Sequence, residues 1–271
     1  VPLLDAALAK DPKNTLLRSY LGEAKRQTGD LAGAIEQSCD TYFYTVAREA
    51  GIDAVAAMAK EFGLGAKSGM GLRGEQPGIV PSPEWKEKTR GQPWNPGETI
   101  NSAIGQGDTL TTPLQLAIMT ARMVNGGKKI LPHLVVGEDI KNDGTIDLAP
   151  EHLAVIREGM DRVANAARGT AYGSTIKEEK YKFGGKTGTS QVRKLIVQGQ
   201  NQNQIPWEFR HHAWFVGYAP IHAPEISCAV IIEHGGGGAS AAAPVVRDIL
   251  LKAQQLADGT DAATPNAEPP A

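Results

Sequence analysis

Cysteine is scarce in this chain of 271 residues, which contains only Cys39 and Cys228. Two cysteines so far apart form neither the paired spacing of a zinc site nor a disulfide framework, and they leave the redox compartment open. Aromatic residues make up 6% of the chain. No run of basic residues is interleaved with them, and the formal net charge is −2. We therefore expect no nucleic-acid partner, because a base-stacking surface needs both features.

Long apolar runs are also missing. No stretch reaches the roughly 20 residues that cross a bilayer. The first residues, VPLLDAALAKDPKN, lack the basic start and the apolar core of a signal peptide. Because the chain begins with Val1, we expect a fragment or a processed protein. The hydrophobic content of 41% suffices for one large or two modest globular domains.

Helical periodicity dominates the first part of the chain. Residues 1–30 predict a helical hairpin that resembles one tetratricopeptide unit, with an ordinary hairpin as the alternative. Further helices are predicted over 40–51, 112–126 and 150–167. The second of these has the strongest end signals, a Thr-Pro start and a Gly-Gly end. The region 63–105 is rich in Gly and Pro, which indicates an ordered loop with short elements.

The period of the hydrophobic pattern then changes from that of a helix to two residues, which predicts strands. Three runs show it: YKFGGKTGTSQV, HAWFVGYAP and EISCAVIIEHGG. Short connections favour antiparallel neighbours. A closing helix, APVVRDILLKAQQLA, follows, and residues 258–271 predict a disordered tail. Helices, then a small antiparallel sheet, then a last helix indicate an α+β fold.

The stretch GGKTGTSQV, at 184–192, combines a cation with hydroxyl groups and glycines. On a strand, Lys186 and Gly188 point to one side while Thr187 and Thr189 point to the other. An edge strand also offers backbone N–H groups to a ligand. Lys186 supplies positive charge, the threonine hydroxyls can bind a carboxylate, and Gly188 lets a ligand come close. These features suit an extended peptide that ends in a carboxylate.

A Lys-Thr-Gly strand also belongs to a known set of motifs. Together with S-x-N in a loop between helices and S-x-x-K at a helix start, it marks penicillin-binding proteins and serine β-lactamases. Ser38-Cys39-Asp40 fits the S-x-N position in the right chain order. Longer stretches carry the resemblance further: SCDTYFY, FGLGAKSGMGLRGEQPG, WNPGETINSAIGQGDTLTTPLQLA, RGTAYGS, HAWFVGYAP and AAPVVRDIL. The chain resembles the transpeptidase domain of class B penicillin-binding proteins, nearest to the elongation type, penicillin-binding protein 2.

The resemblance covers residues 31–257 and implies a partial transpeptidase domain. The implied fold is an antiparallel sheet with flanking helices plus a helical lobe, incomplete at its N-terminus. The implied activity is D,D-transpeptidation, which cross-links peptidoglycan stem peptides ending in D-Ala-D-Ala through a serine acyl-enzyme. The implied partners are these peptides, β-lactams and proteins of the elongation complex, with no cofactor and no metal. The implied location is the periplasmic face of the bacterial inner membrane, with the anchor absent from this chain.

The resemblance also implies a role for each matching residue. Ser38 relays protons near the leaving group, and Asp40 holds the third position of the same motif, where many relatives have Asn. Lys186 sets the positive field of the site. Thr187 and Thr189 bind the substrate carboxylate, and the backbone N–H of Thr189 forms half of the oxyanion hole.

The nucleophile that this chemistry needs is not found where the resemblance places it. In the family, S-x-x-K precedes S-x-N by about 50–60 residues, but only 37 residues precede Ser38 here and none of them form the motif. One S-x-x-K occurs, at Ser174–Lys177, next to the Lys-Thr-Gly strand. We therefore expect this chain to be inactive. The alternatives are a non-catalytic module that binds peptidoglycan or a partner protein and, less favoured, a serine β-lactamase.

Three smaller signals predict ordinary structure. His234 begins HGGGG, which resembles an esterase oxyanion loop, but no G-x-S-x-G elbow accompanies it, so a turn is expected. His211 and His212 are neighbours and would face opposite sides of a strand, which makes a poor metal pair. The side chains of Trp214 and Phe215 are expected to pack in the core and against the sheet face.

Overall fold

A computed structural model describes residues 30–135, 141–192 and 205–259 of the chain. Of the predicted N-terminal hairpin it includes only Asp30, and of the predicted tail only Asp258 and Gly259. Most of the polar loop between the first two predicted strands also lies outside the described residues.

Four helices form the first part of the described fold. They are α1 (Leu31–Glu36), α2 (Asp40–Glu61), α3 (Pro83–Arg90) and α4 (Pro96–Ala103). Asp30 caps α1 by accepting a hydrogen bond from the Gly33 N–H at 2.8 Å. The predicted end of a helix at Gly51 is a kink within α2, because φ of +80° interrupts the helical geometry there.

The predicted helix at Thr112 is confirmed as α5 (Pro113–Val124). Thr112 and Gln115 form a reciprocal capping box with bonds of 3.2 and 2.9 Å. Helix α6 (Pro150–Asn165) follows, ending two residues before the predicted end. Between α5 and α6 lies a hairpin that the sequence did not predict, β1 (Lys128–Leu131) paired with β2 (Lys141–Thr145). Its second strand, KNDGT, is exposed throughout, so it carries no alternating pattern.

The three predicted strands form one antiparallel sheet in the order β3 (Gly184–Ser190), β4 (His212–Ala219), β5 (Ile226–Ile232). Among the described residues β3 pairs on one side only, so it is an edge strand there. The closing helix α7 (Ala243–Ala257) matches the prediction and follows a π-helical turn at Gly238–Ala242.

The sheet packs between α6 and α7. The Tyr218 hydroxyl donates to the carbonyl of Arg157 in α6 at 3.4 Å. Gly217, the next residue back, faces Val246 and Leu250 of α7. Both sheet faces are therefore covered, which fixes the sheet and leaves the free edge of β3 beside the turn between α1 and α2. The core includes Phe183, Phe215 and Tyr218, as expected for Phe215, whereas Trp214 is half-buried.

The described fold is α+β. None of its described helices combines the length and the apolar character that a bilayer crossing needs.

Candidate active site

Ser38 sits in the two-helix turn between α1 and α2 with a left-handed backbone, φ +51°. This conformation is uncommon for a residue other than glycine and is strained. It is held on both sides: the Ser38 N–H donates to the Ile35 carbonyl at 3.2 Å and the Cys39 N–H to the Ala34 carbonyl at 2.9 Å. The turn therefore presents the Ser38 hydroxyl in a defined direction.

The side chain of Lys186 reaches this turn from β3. Its ammonium donates hydrogen bonds to the Ser38 hydroxyl, to the Thr187 carbonyl at 2.9 Å and, less closely, to the Thr187 hydroxyl at 3.4 Å. Three of the predicted site residues thus meet at one point, and the bond between Lys186 and Ser38 spans 148 positions of sequence.

The environment of the Lys186 ammonium shifts its ionisation. Burial lowers the pKa of Lys186 from 10.5 to about 8, and the nearby Asp40 carboxylate opposes the shift. Asp40 keeps contact with solvent, yet the protein atoms around it raise the pKa of its carboxyl, against the pull of Lys186. The pKa of Tyr44, one turn along α2, is raised by burial and by Asp40. The site therefore contains a cation that loses its proton far more easily than an exposed lysine.

The free edge of β3 exposes backbone groups of Thr187 and Thr189. The carbonyls of both residues accept bonds from side chains, Lys186 at 2.9 Å and Gln106 at 2.7 Å, and so point away from β4. In an antiparallel strand the N–H of a residue points to the same side as its carbonyl. The N–H groups of Thr187 and Thr189 therefore face the free edge as well.

Gly188, between the two threonines, is crowded on the sheet. A Cβ there would lie 3.2 Å from the Cβ of Trp214, its partner on β4. Gly238, in the HGGGG stretch, packs against the same place: a Cβ on it would lie 2.5 Å from the Gly188 carbonyl oxygen and 2.4 Å from that of Trp214. The predicted turn at 234–238 therefore packs against the backbone of β3 at Gly188 and of β4 at Trp214.

A loop that sequence reasoning did not assign to the site contacts both Thr187 and the end of α1. The Thr170 hydroxyl lies 3.0 Å from that of Thr187, and the Thr170 N–H donates to the Glu36 carbonyl at 3.2 Å. Arg168 donates to the Gln37 side chain at 2.6 Å. The loop lies in RGTAYGS, which carried the resemblance without an assigned role. Gln106, in GQGDTLTTPLQLA, is the other side chain that sequence reasoning missed.

The S-x-x-K at Ser174 does not form a nucleophile and a base. Ser174 is 2% exposed, in a short 3-10 turn (Tyr172–Ser174), whereas Lys177 is exposed. The neighbouring histidines also serve structure: the His212 Nδ1 accepts the backbone N–H of His234 at 2.9 Å. Within the described ranges no group of three metal-ligating side chains is close enough to hold a metal ion.

Comparison with known proteins gives a consistent set of similarities. A family model described as "Penicillin binding protein transpeptidase domain" matches residues 9–251, so the match begins inside the segment predicted as a hairpin. The peptidoglycan D,D-transpeptidase MrdA of Acinetobacter baumannii is 42% identical over 227 residues, covering 78% of this chain and 33% of that protein.

Two solved structures are similar in fold and sequence. One is the complex between PBP2 and MreC from Helicobacter pylori (TM-score 0.73, 33% identity, 85% of this chain and 40% of that chain). The other is Pseudomonas aeruginosa PBP2 in complex with WCK 5153 (TM-score 0.69, 38% identity, 89% of this chain and 50% of that chain). The chain spans about a third of the length of the curated relatives it matches.

Proposed function

Because the chain belongs to the penicillin-binding protein transpeptidase family, we propose that the free edge of β3 binds the D-Ala-D-Ala end of peptidoglycan stem peptides. The reaction served by such a site is D,D-transpeptidation. A serine attacks the carbonyl between the two D-alanines, the terminal D-Ala leaves as an amine, and the amine of a second stem peptide resolves the acyl-enzyme. β-Lactams would occupy the same edge.

The observation that carries the proposal is the position of Lys186. Its ammonium joins the strained Ser38 turn to a strand edge with exposed backbone groups. In the proposed complex Lys186 attracts the terminal carboxylate, and the Thr187 and Thr189 hydroxyls bind it. The Thr189 N–H supplies one oxyanion donor, Gly188 lets the ligand lie close, and Ser38 and Asp40 relay protons.

The second candidate is binding without turnover, and the position of Ser174 favours it. The sequence contains one S-x-x-K, and its serine is buried away from an exposed lysine. A hydroxyl nucleophile needs a base within hydrogen-bond reach. We therefore propose that the chain of 271 residues holds ligands at β3 without forming an acyl-enzyme.

The wider setting is also a proposal. The H. pylori PBP2 similar to this chain is in complex with MreC. We propose that proteins of the cell-elongation complex are partners here too, and that the domain works at the periplasmic face of the inner membrane, where peptidoglycan is built.

The test is a binding titration followed by amide NMR, with an N-acylated peptide ending in D-Ala-D-Ala and its C-terminal amide as the matched ligand. We expect the free acid to bind more tightly than the amide. Lys186→Met should weaken binding of the acid about 10-fold or more, because a charge-assisted hydrogen bond is lost. Lys88→Met, at an exposed lysine of α3, is the matched control. Equal binding of acid and amide would refute the proposal.

Turnover is tested separately by intact mass after incubation with excess benzylpenicillin. We expect no adduct from the folded chain. A stoichiometric adduct would show that a serine is activated after all, and a peptide map would identify it.

A further inference from the structure

Gln106 occupies a backbone group that the proposed ligand would need. Its side-chain amide donates to the Thr189 carbonyl at 2.7 Å, across 83 positions of sequence. A peptide that adds to a sheet edge pairs with the N–H and C=O groups of the edge strand. Thr189 presents both groups to the free edge, so in the free protein one of the two is already taken.

The loop around Gln106 is shaped to deliver this side chain. Gly105 and Gly107 both have left-handed backbones, φ +72° and +71°, which favour glycine. The Gln106 N–H donates to the Asn101 carbonyl at 2.9 Å. Asp108 forms an ion pair with Arg90 of α3. The loop is therefore fixed by its own backbone and by this ion pair.

The Gln106–Thr189 bond is not needed to hold either partner. β3 pairs with β4 at every residue from Gly184 to Ser190, so Thr189 is held by the sheet. The Gln106 side chain is half-buried and has three rotatable bonds, so it can turn aside on a fast timescale. A bond between two independently fixed partners is easily exchanged for an equivalent one.

We propose that Gln106 is a displaceable latch that determines which ligands pair with β3. In the free protein its amide satisfies the Thr189 carbonyl. A peptide whose backbone N–H reaches that carbonyl replaces the amide, and the side chain turns away. A ligand without an N–H at this point would displace the Gln106 amide and leave the Thr189 carbonyl without a donor. This inference rests on the proposed function, because it requires a peptide at the β3 edge.

The test compares Gln106→Met with the wild type in the same titration with the D-Ala-D-Ala peptide. Methionine keeps the length of the side chain and removes the donor. Because a competing neutral hydrogen bond disappears, we expect tighter binding by about 2- to 10-fold. Gln76→Met is the matched control, since the Gln76 amide also donates to a loop carbonyl, that of Gly74, at 3.2 Å. It should leave binding unchanged.

The direction of the change separates the possible outcomes. Weaker binding by Gln106→Met would mean that the side chain pins the loop or contacts the ligand, and unchanged binding would mean that it does not compete. Either result overturns the latch alone if the wild type binds. If neither protein binds the peptide, the proposed function is contradicted as well. Binding by the variant but not by the wild type would support both. If Gln106→Met does not fold, Gln106→Asn, which is one methylene too short to reach Thr189, replaces it.

Discussion

Replacing Lys186 with methionine should stabilise the fold at neutral pH, although it weakens ligand binding. Burial lowers the pKa of Lys186 from 10.5 to about 8. A shift of that size corresponds to about 3 kcal/mol of unfavourable free energy for the charged folded state. Methionine fills a similar volume without the charge. The gain at pH 7 should approach 3 kcal/mol, reduced by the loss of the hydrogen bonds to Ser38 and Thr187.

The pH dependence of this effect has a defined sign. Below about pH 8 the lysine is charged in both states, so the folded wild type carries the whole cost. Between pH 8 and 10.5 the folded lysine is neutral while the unfolded one still holds its proton. Because the unfolded state binds more protons there, the free energy of unfolding rises with pH by about 1.4 kcal/mol per unit. The advantage of Lys186→Met should therefore shrink across this window.

The assay is urea unfolding of the wild type and Lys186→Met at pH 7 and pH 10, read as the difference between the two proteins. The subtraction removes other groups that titrate in this range. Lys88→Met, at an exposed lysine, should show no comparable change with pH. A constant difference between wild type and Lys186→Met from pH 7 to 10, or a variant that is less stable at pH 7 by more than its lost hydrogen bonds, would refute the reasoning.

Three further predictions concern the fold and the support of the site. Gln115→Leu should lower the free energy of unfolding by about 2–4 kcal/mol in urea, because the fully buried amide serves two loop carbonyls and the helix cap. Gly238→Ala should cost about 1–3 kcal/mol in the same assay, because its Cβ would lie 2.4 Å from the Trp214 carbonyl oxygen. Gly237→Ala, where the nearest atom is 3.3 Å away, should cost much less. Thr170→Val should weaken peptide binding by about 2- to 10-fold in the NMR titration through the lost bond to Thr187, whereas Thr175→Val should not change it.

Elements with local signals were predictable from the sequence. The capped helix at Thr112, the three strands and the closing helix are confirmed because their end residues and hydrophobic periods lie within short stretches of chain. The hairpin of β1 and β2 was missed because its polar second strand has no buried face. The kink at Gly51 was predicted as an end, since a glycine with positive φ gives the same sequence signal in both cases.

The site was predictable only in part, for a different physical reason. Motif positions named Ser38, Lys186 and Thr187, and the structure brings them together. No local pattern shows that Thr170 bonds the hydroxyl of Thr187 or that Gln106 bonds the carbonyl of Thr189. These contacts join segments 17 and 83 positions apart. The pKa of Lys186 likewise depends on the burial of its ammonium in the folded chain and on the carboxylate of Asp40, which lies far away in the sequence.

The arrangement at β3 suggests what kind of ligand the site can select. Two outward carbonyls of the strand are already bonded in the free protein, that of Thr187 to Lys186 and that of Thr189 to Gln106. A peptide backbone therefore exchanges hydrogen bonds at this edge and gains little from them alone. Net affinity must come from a group that the free protein cannot supply to itself. A carboxylate is such a group, since the Lys186 ammonium is buried among neutral acceptors, and in the part of the chain that the structure describes the partly solvated Asp40 is the carboxylate that offsets its charge. The cost of burying that cation in the free fold is thus the same feature that would favour a peptide ending in a free carboxyl group over one that continues.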